Sequence, residues 1–397
     1  MCAANPTAAP AMPLPAAEGH KLLREKGLYL PLLRELQAIP DPRDFERDSL
    51  AQTFALIGDE DSAFAANRGH PWPAPKGNNF RAESAIDRIV EAAKSRQIVI
   101  LNEAHMASRC RAFAQALVER LHAVGFNIFT AETLFNEPAL TGVTPADVAL
   151  NSGGAVTTSV GYYVADPVYA EMIRSARAHH YSFAVYEARQ DQMNAREEAE
   201  ADNFVANILA KNPKSRVFAY CGYGHVVKKG WATFSPFAAL LKAKTGIDPL
   251  CITQAEGLPA PDPSSDSDML KWALDRFSPT VPVVITGGYG EPAFYSREQV
   301  DFVVVHPRLS KVDGRPGWLA GMPDRRRTLY ALQEAVAAYA LIQAIPIREA
   351  AAPNVIPADQ YPVPAGTRDV VFFLKPGKYE VRIETDAGRR VLGNLTV

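Results

Sequence analysis

The chain is 397 residues long, with 47% hydrophobic and 22% charged residues, an ordinary globular composition that can build a sizeable core. Its formal net charge of -2, with no basic run and no nucleic-acid-binding signature, gives no electrostatic reason to expect nucleic acid or an anionic membrane as partner. The length exceeds a usual single domain, so one large domain with additions, or two domains, is expected.

Residues 1–18 read as a flexible tail, because Cys2 is followed through Ala17 by an uncharged stretch rich in Ala and Pro. A Cys heading such a tether resembles a bacterial lipoprotein whose signal peptide has been replaced by an initiator Met. Lipidated Cys2 would then anchor the chain in the periplasm or at the outer membrane. The alternative is an ordinary disordered tail on a cytoplasmic protein, and the residues leave both readings open. Cys110, Cys221 and Cys251 stand at no metal-knuckle or redox spacing and read as buried free thiols.

Residues 19–96 form an expected helical segment, with helices over Lys21–Gln37 and Ser84–Ala93 and a Pro/Gly-rich stretch at His70–Gly77. From 97 to 345 short apolar runs alternate with segments of helical period. The expected strands are Ile98–Leu101, Asn127–Ala131, Ser182–Tyr186, Arg216–Tyr220, Pro249–Gln254, Val281–Thr286 and Asp301–Val305. Helices are expected at Cys110–Val124, Pro167–His180, Ala195–Ala210, Pro236–Thr245 and Asp266–Arg276. Such alternation implies an α/β core: a mainly parallel sheet covered by helices on both faces. The Asn136–Ala165 insertion breaks the rhythm and reads as an active-site loop. A further helix is expected over Thr328–Ala344. The longest apolar stretch, Leu329–Ile345, is interrupted by Gln333, Glu334 and Gln343, so it reads as an amphipathic or buried helix rather than a membrane span. Residues 346–397 read as a small antiparallel β appendage, with strands at Val370–Leu374, Tyr379–Glu384 and Arg390–Val397.

Ligands of open α/β sheets sit beyond the carboxyl ends of the strands. There this chain carries Asn102-Glu103-Ala104-His105, then Glu132, then Tyr186-Glu187, then Gly222-Tyr223-Gly224-His225, with Glu256 and His306 after later strands. Each residue alone has a bland reading as a cap or a solvated loop charge. Together they put imidazoles and carboxylates at one sheet edge, where they can do acid–base work or bind a metal. The rival motifs are missing. Val227 occupies the third position of a dinucleotide fingerprint, and there is no Walker-type loop and no Gly-x-Ser-x-Gly elbow. Thr286–Gly290 reads as a turn, with a lid or a backbone binding site as the alternative.

A strand entering Glu-x-His, a strand ending in Glu and a strand entering Gly-Tyr-x-His resemble the Tiki superfamily, which takes in the haem-binding uptake ChaN-like proteins and the erythromycin esterase-like hydrolases. Gly222–His225, the Tyr186-Glu187 strand and the Arg196-Glu197 helix running through Asn203 and Asn207 match; Asn102 stands where the family usually has Gly. The resemblance covers roughly residues 97–306. It implies that Glu103, His105, Glu132 and His225 line an active site supported by Arg196 and Glu187. The implied activity is hydrolysis of an amide or ester bond in a small molecule or peptide. In a metal-dependent version His105, Glu132 and His225 would ligate a divalent ion (Zn, Mn or Co) with Glu103 as proton acceptor. In a metal-free version His105 activates water, oriented by Glu103 or Glu132, with Arg196 or His225 facing the oxyanion. Two alternatives stand beside these. One is haem binding, with Tyr162, Tyr163, Tyr223 and Tyr289 as candidate axial ligands; the other is a non-catalytic member of the fold, which Asn102 favours. Specificity is expected in the loops Asn136–Ala165 and Gly287–Phe294, while His306 and Glu256 read as structural.

Overall fold

The computed structural model describes residues 16–66, 72–135, 145–190, 192–288 and 290–397. Cys2 and its tail, part of the His70–Gly77 stretch, residues 136–144 of the insertion, and Tyr289 lie outside the described residues.

The N-terminal segment begins with α1 (Ala17–Lys26) and α2 (Leu30–Gln37), where one helix was expected. Gly27 divides them by adopting φ 62°, a left-handed conformation that closes α1. The two helices then fold onto each other so closely that a Cβ on Gly19 would lie 2.5 Å from the Leu32 Cα. Two helices without a sequence counterpart follow, α3 (Asp44–Leu56) and α4 (Glu60–Ala66), and then an unforeseen edge strand, β1 (Phe80–Ser84).

The core alternates as the apolar pattern demands: α5 (Ala85–Ala93), β2 (Ile98–Glu103), α6 (Ser108–His122), β3 (Ile128–Ala131), α7 (Ala146–Asn151), α8 (Pro167–Ala178), β4 (Ser182–Phe183), α9 (Met193–Phe204), β5 (Val217–Gly222), α10 (Phe237–Thr245), β6 (Leu250–Thr253), α11 (Asp268–Phe277), β7 (Val283–Gly287) and β8 (Phe302–Val305). These strands form one eight-stranded sheet in the order β1-β7-β8-β6-β2-β5-β3-β4. It is parallel from β8 to β4, while β7 and β1 run antiparallel at one edge. Pleating sends Val99 and Leu101 to the face covered by α5, α6 and α8, and Ile98 and Ile100 to the face covered by α9 and α10.

Connections from β2 lead to β3 on one side, whereas those from β5 lead to β6 on the other. The chain therefore changes direction beside the β2–β5 pair, the place where open α/β sheets form a crevice. The expected strand Ser182–Tyr186 pairs only over Ser182–Phe183. Beyond it the Asn207 and Asn203 side chains donate to the carbonyls of Val185 and Tyr186, each at 3.1 Å, in place of a neighbouring strand.

After β9 (Lys311–Val312) and β10 (Arg315–Pro316), the expected helix over Thr328–Ala344 is absent. In its place stand β11 (Arg326–Ala331) and β12 (Ala340–Pro346). The Ala-rich run has high intrinsic helix propensity, but tertiary pairing overrides it. β12 is buried along its whole length between β13 (Asp359–Val363) and β15 (Lys378–Thr385), whereas β11 alternates outward and pairs with β14 (Asp369–Leu374). With β16 (Gly388–Thr396) these strands complete the C-terminal antiparallel sheets. Among the described residues no helix is long and apolar enough to cross a membrane, and Cys110, Cys221 and Cys251 are free and buried.

Chain ends meet at Glu384. Its Oε1 accepts the backbone N–H groups of Tyr29 and Leu30, both at 2.7 Å, so a β15 carboxylate caps the start of α2. Burial pushes this carboxyl up to about 7, against the pull of those two N–H groups. A folded-state pKa raised above the unfolded value means that the group's favourable contribution is complete below about 4.5 and is lost as pH rises through 7. Thermal unfolding followed from pH 5 to 8 is therefore expected to show a declining Tm, and Glu384→Gln is expected to flatten that decline. An unchanged slope in the variant assigns the decline to another group.

Candidate active site

The crevice above β2 and β5 gathers the expected residues. Glu103 ends β2, and the tight turn after it returns the His105 ring over the strand end. His105 Nδ1 lies 2.8 Å from Glu103 Oε1. Arg111, one turn into α6 and fully buried, forks onto the same carboxylate, with Nε 2.8 Å from Oε2 and Nη2 2.8 Å from Oε1. Its Nη1 donates at 2.7 Å to Asp166, the N-cap of α8. Burial alone would raise Glu103, but the Arg111 guanidinium and the His105 hydrogen bond outweigh it and bring the carboxyl down to about 2. Glu103 is thus a carboxylate at neutral pH and can only accept. The proton between it and His105 therefore belongs to Nδ1.

That Nε2 faces Glu132, the residue after β3, at 3.9 Å from Oε1. His225 faces the same oxygen from the other side, with Nε2 at 3.5 Å. The sequence separations are wide, yet both imidazoles converge on one carboxylate. Arg196 on α9 completes the group: its Nη2 reaches Glu132 Oε1 at 2.9 Å and Glu187 Oε1 at 2.9 Å, and its Nε lies 2.9 Å from Glu200 Oε1. Glu132 Oε2 accepts the Gly222 N–H at 2.5 Å. Burial would raise Glu132, but His225, His105 and Arg196 hold it well below the usual carboxylate range. Burial would equally lower His225, but Glu132 and Glu197 hold it well above the ordinary imidazole value, so it is a cation. Glu187 and Glu200 are both raised, chiefly by burial and then by a neighbouring carboxylate, Glu132 for the first and Glu187 for the second.

Three features of the site had no counterpart in the sequence reading. Arg111 and Asp166 are one; their separation of 55 positions hides the contact. A second is Glu197 and Glu200, which lie on the inward face of a helix so rich in charge that solvent exposure is the natural expectation. Both are fully buried. Their i, i+3 spacing places them on one face, which is the only signal available from sequence. Glu197 Oε1 approaches His225 Nδ1 to 2.7 Å, yet neither atom has a hydrogen-bond partner of sound geometry, and both Glu200 oxygens are in the same state. Glu197, Glu200 and His225 form a group that could hold a metal ion, with ligand atoms within 4.8 Å of one another. It shares His225 with the set expected from sequence and takes two α9 carboxylates where His105 and Glu132 were expected.

The third feature is the role of Asn102. Asn tolerates a left-handed backbone better than other non-glycine residues, but that tolerance is not in use. Asn102 sits in β2, fully buried, and the residue with positive φ is Tyr223, at 38°. Asn102 Nδ2 donates to the Tyr223 carbonyl and to Thr253 Oγ1, each at 2.7 Å, and its Oδ1 accepts the Gln254 N–H at 2.7 Å. The side chain therefore ties β6 to the loop carrying His225. Asn102→Gly would orphan buried groups on both sides, and urea unfolding is expected to show a loss of about 2 kcal/mol. An unchanged midpoint would mean that water replaces the amide.

No family model, no curated protein and no solved structure matches the chain. The Tiki resemblance rests on the motif residues alone.

The remaining candidates divide by position. Tyr163 stacks on the His105 ring, with centroids 3.8 Å apart, after a close approach in which a Cβ on Gly161 would lie 2.2 Å from the Thr133 carbonyl. Tyr223 stands edge-on to His105 at 5.0 Å. Burial raises the phenols of Tyr162, Tyr163 and Tyr223, keeping them protonated at neutral pH. His306 Nε2 lies 2.9 Å from Gln254 Oε1, and Glu256 bonds Thr253 and Tyr295. Neither polar group is spent on the crevice.

Proposed function

We propose that the chain is a hydrolase of ester or amide bonds that uses His105 as its general base. The observation that carries the reading is the Glu103–His105 pair, whose Nδ1–H is fixed by a permanent carboxylate while Nε2 points to Glu132, the carboxylate that Arg196 and His225 also approach. His105 Nε2 takes a proton from water as the oxygen adds to the carbonyl carbon. The C=O electron pair moves to oxygen, where Arg196 and protonated His225 supply the opposing charge. Return of the proton from His105 to the departing alkoxide or amine, as the C–O or C–N bond breaks, completes the cycle. Glu103 holds the ring's orientation, and Arg111 holds Glu103.

A second reading is favoured by Glu197, Glu200 and His225, where Glu197 Oε1, both Glu200 oxygens and His225 Nδ1 lack a hydrogen bond of sound geometry. These three would hold a divalent cation such as Zn, Mn or Co, which would supply Lewis-acid polarisation. Both readings are tested by metal analysis of the purified protein with a screen of ester and peptide substrates before and after chelation. Turnover that survives chelation supports the metal-free route. Turnover lost and restored by added ion, together with metal content that falls in Glu197→Gln, supports the second. No turnover in any condition, with a Soret band on haem titration, overturns the hydrolase in favour of a haem-binding protein.

A further inference from the structure

The described part of the insertion, residues 145–165, reaches His105 through Tyr163, whose ring lies on the imidazole at 3.8 Å and 17°. The Glu103 hydrogen bond fixes where His105 Nδ1 points but leaves the ring able to tilt about that bond. A face-on neighbour removes the tilt. This matters because a reacting group must be held within about 10–20° of its working geometry. Tyr163 is pinned locally by Thr133, whose Oγ1 accepts its N–H at 3.0 Å.

Farther back the same loop is held by the C-terminal region. Thr157 pairs with Val355 in an antiparallel bridge. On either side of it the Ile356 N–H donates to the Val156 carbonyl and the Thr158 N–H to the Asn354 carbonyl, each at 3.0 Å. Val156 and Ile356 are both buried in the core on the α6 and α8 face of the main sheet. Glu349, in the turn that follows β12, accepts the Val156 N–H at 3.2 Å. Arg174 on α8 forks onto Glu349, with Nε 3.1 Å from Oε1 and Nη2 2.8 Å from Oε2. The same Nη2 donates to the Ile356 carbonyl at 2.7 Å. Both side chains are buried. Such a pair adds little net stability over apolar packing, but its two parallel bonds fix geometry.

We infer that the C-terminal region is a working part of the active site, with Glu349 as a positioning residue that keeps Tyr163 seated on His105. Only four residues lie between Thr158 and Tyr163. Gly161 among them approaches Thr133 so closely that a Cβ would lie 2.2 Å from its carbonyl oxygen, so the run has little slack to absorb a shift at Thr158. The consequence for turnover rests on the hydrolase reading, whereas the ring contact can be measured without it.

The test uses the full chain with protonated His and Tyr rings in a deuterated background. It reads the nuclear Overhauser contact between the His105 and Tyr163 rings, assigned from His105→Ala and Tyr163→Leu. Glu349→Ala is expected to lose that contact while folding, because Arg174 keeps Glu171 as its partner at 2.9 Å. Val391→Ser, at an exposed position on the C-terminal sheet, is expected to keep it. On an ester or amide that the parent turns over, kcat is expected to fall about ten-fold in Glu349→Ala, with KM within about two-fold. If Glu349→Ala does not fold, two glycines inserted after Ser159 lengthen the link and leave Glu349 and Thr133 in place. The contact is expected to be lost there too. A folded Glu349→Ala chain, or the insertion, that keeps the ring contact overturns the inference, since Thr133 alone then seats Tyr163. Absence of the contact in the parent overturns it as well, and so does its loss with kcat unchanged. Loss of the contact in a chain that turns over no ester or amide leaves the positioning standing and sinks the hydrolase reading instead.

Discussion

His105→Ala is expected to lower ester or amide turnover by about 1,000-fold, the scale of a lost general base, while the protein stays folded. The effect on activity is large because neither of the two groups nearest Nε2, Glu132 and His225, can replace it. Glu132 is held as a carboxylate well below its ordinary pKa, chiefly by His225, and is a poor base. His225 is protonated and has no lone pair to offer. Stability should suffer far less, because Glu103 keeps both of its Arg111 hydrogen bonds when the ring is gone. Removing the Glu103 partner is a different perturbation, since it would leave Arg111 buried with only Asp166 for compensation. The measurement is steady-state kinetics alongside urea unfolding. A His105→Ala protein with full turnover would remove His105 from the chemistry under either the metal-free or the metal-dependent route.

Glu103, His105, Glu132, Glu187 and His225 were legible at the strand ends because parallel strands deliver their following residues to one edge, and apolar runs reveal where strands stop; Arg196, on α9, came only from the motif resemblance. The rest depends on helix orientation and long-range contact. Glu197 and Glu200 look like solvent-facing charges on a strongly charged helix, and only the packing of α9 over β5 turns them inward. Arg111 belongs to the same class: a guanidinium on a helix is ordinarily exposed, and its burial requires that Glu103 and Asp166 meet it from two other elements. The C-terminal region failed for another reason. Ala335–Ala344 has the composition of a helix, and the information that makes Ala340–Pro346 a central strand resides in its neighbours, Tyr379–Glu384 and Asp359–Val363. Propensity is local, whereas sheet membership is decided by the partner.

Gly222 provides the sharpest separation of the site from its scaffold. Its backbone is extended, at φ -94° and ψ 153°, so any residue could adopt it and conformational freedom is not the reason for glycine. Space is the reason. A Cβ at this position would stand 2.3 Å from both Cε1 and Nε2 of His105 and 3.0 Å from Glu132 Oε2. Gly222→Ala must therefore swing the imidazole away, and with it the Nδ1–H bond to Glu103, or push the β5 terminus out of register. The expected result is a loss of turnover of about 100-fold or more, the cost typical of a displaced reactive group. The accompanying destabilisation is expected at about 1–3 kcal/mol from overpacking. Gly224, two residues on, is the control, because a Cβ there meets only Phe234, at 4.0 Å. Gly224→Ala is expected to keep turnover within about two-fold and to shift stability by less than about 0.5 kcal/mol. If the two alanines behave alike, His105 does not occupy the space in front of Gly222 when it works. The glycine of the Gly-Tyr-x-His motif would then need another explanation.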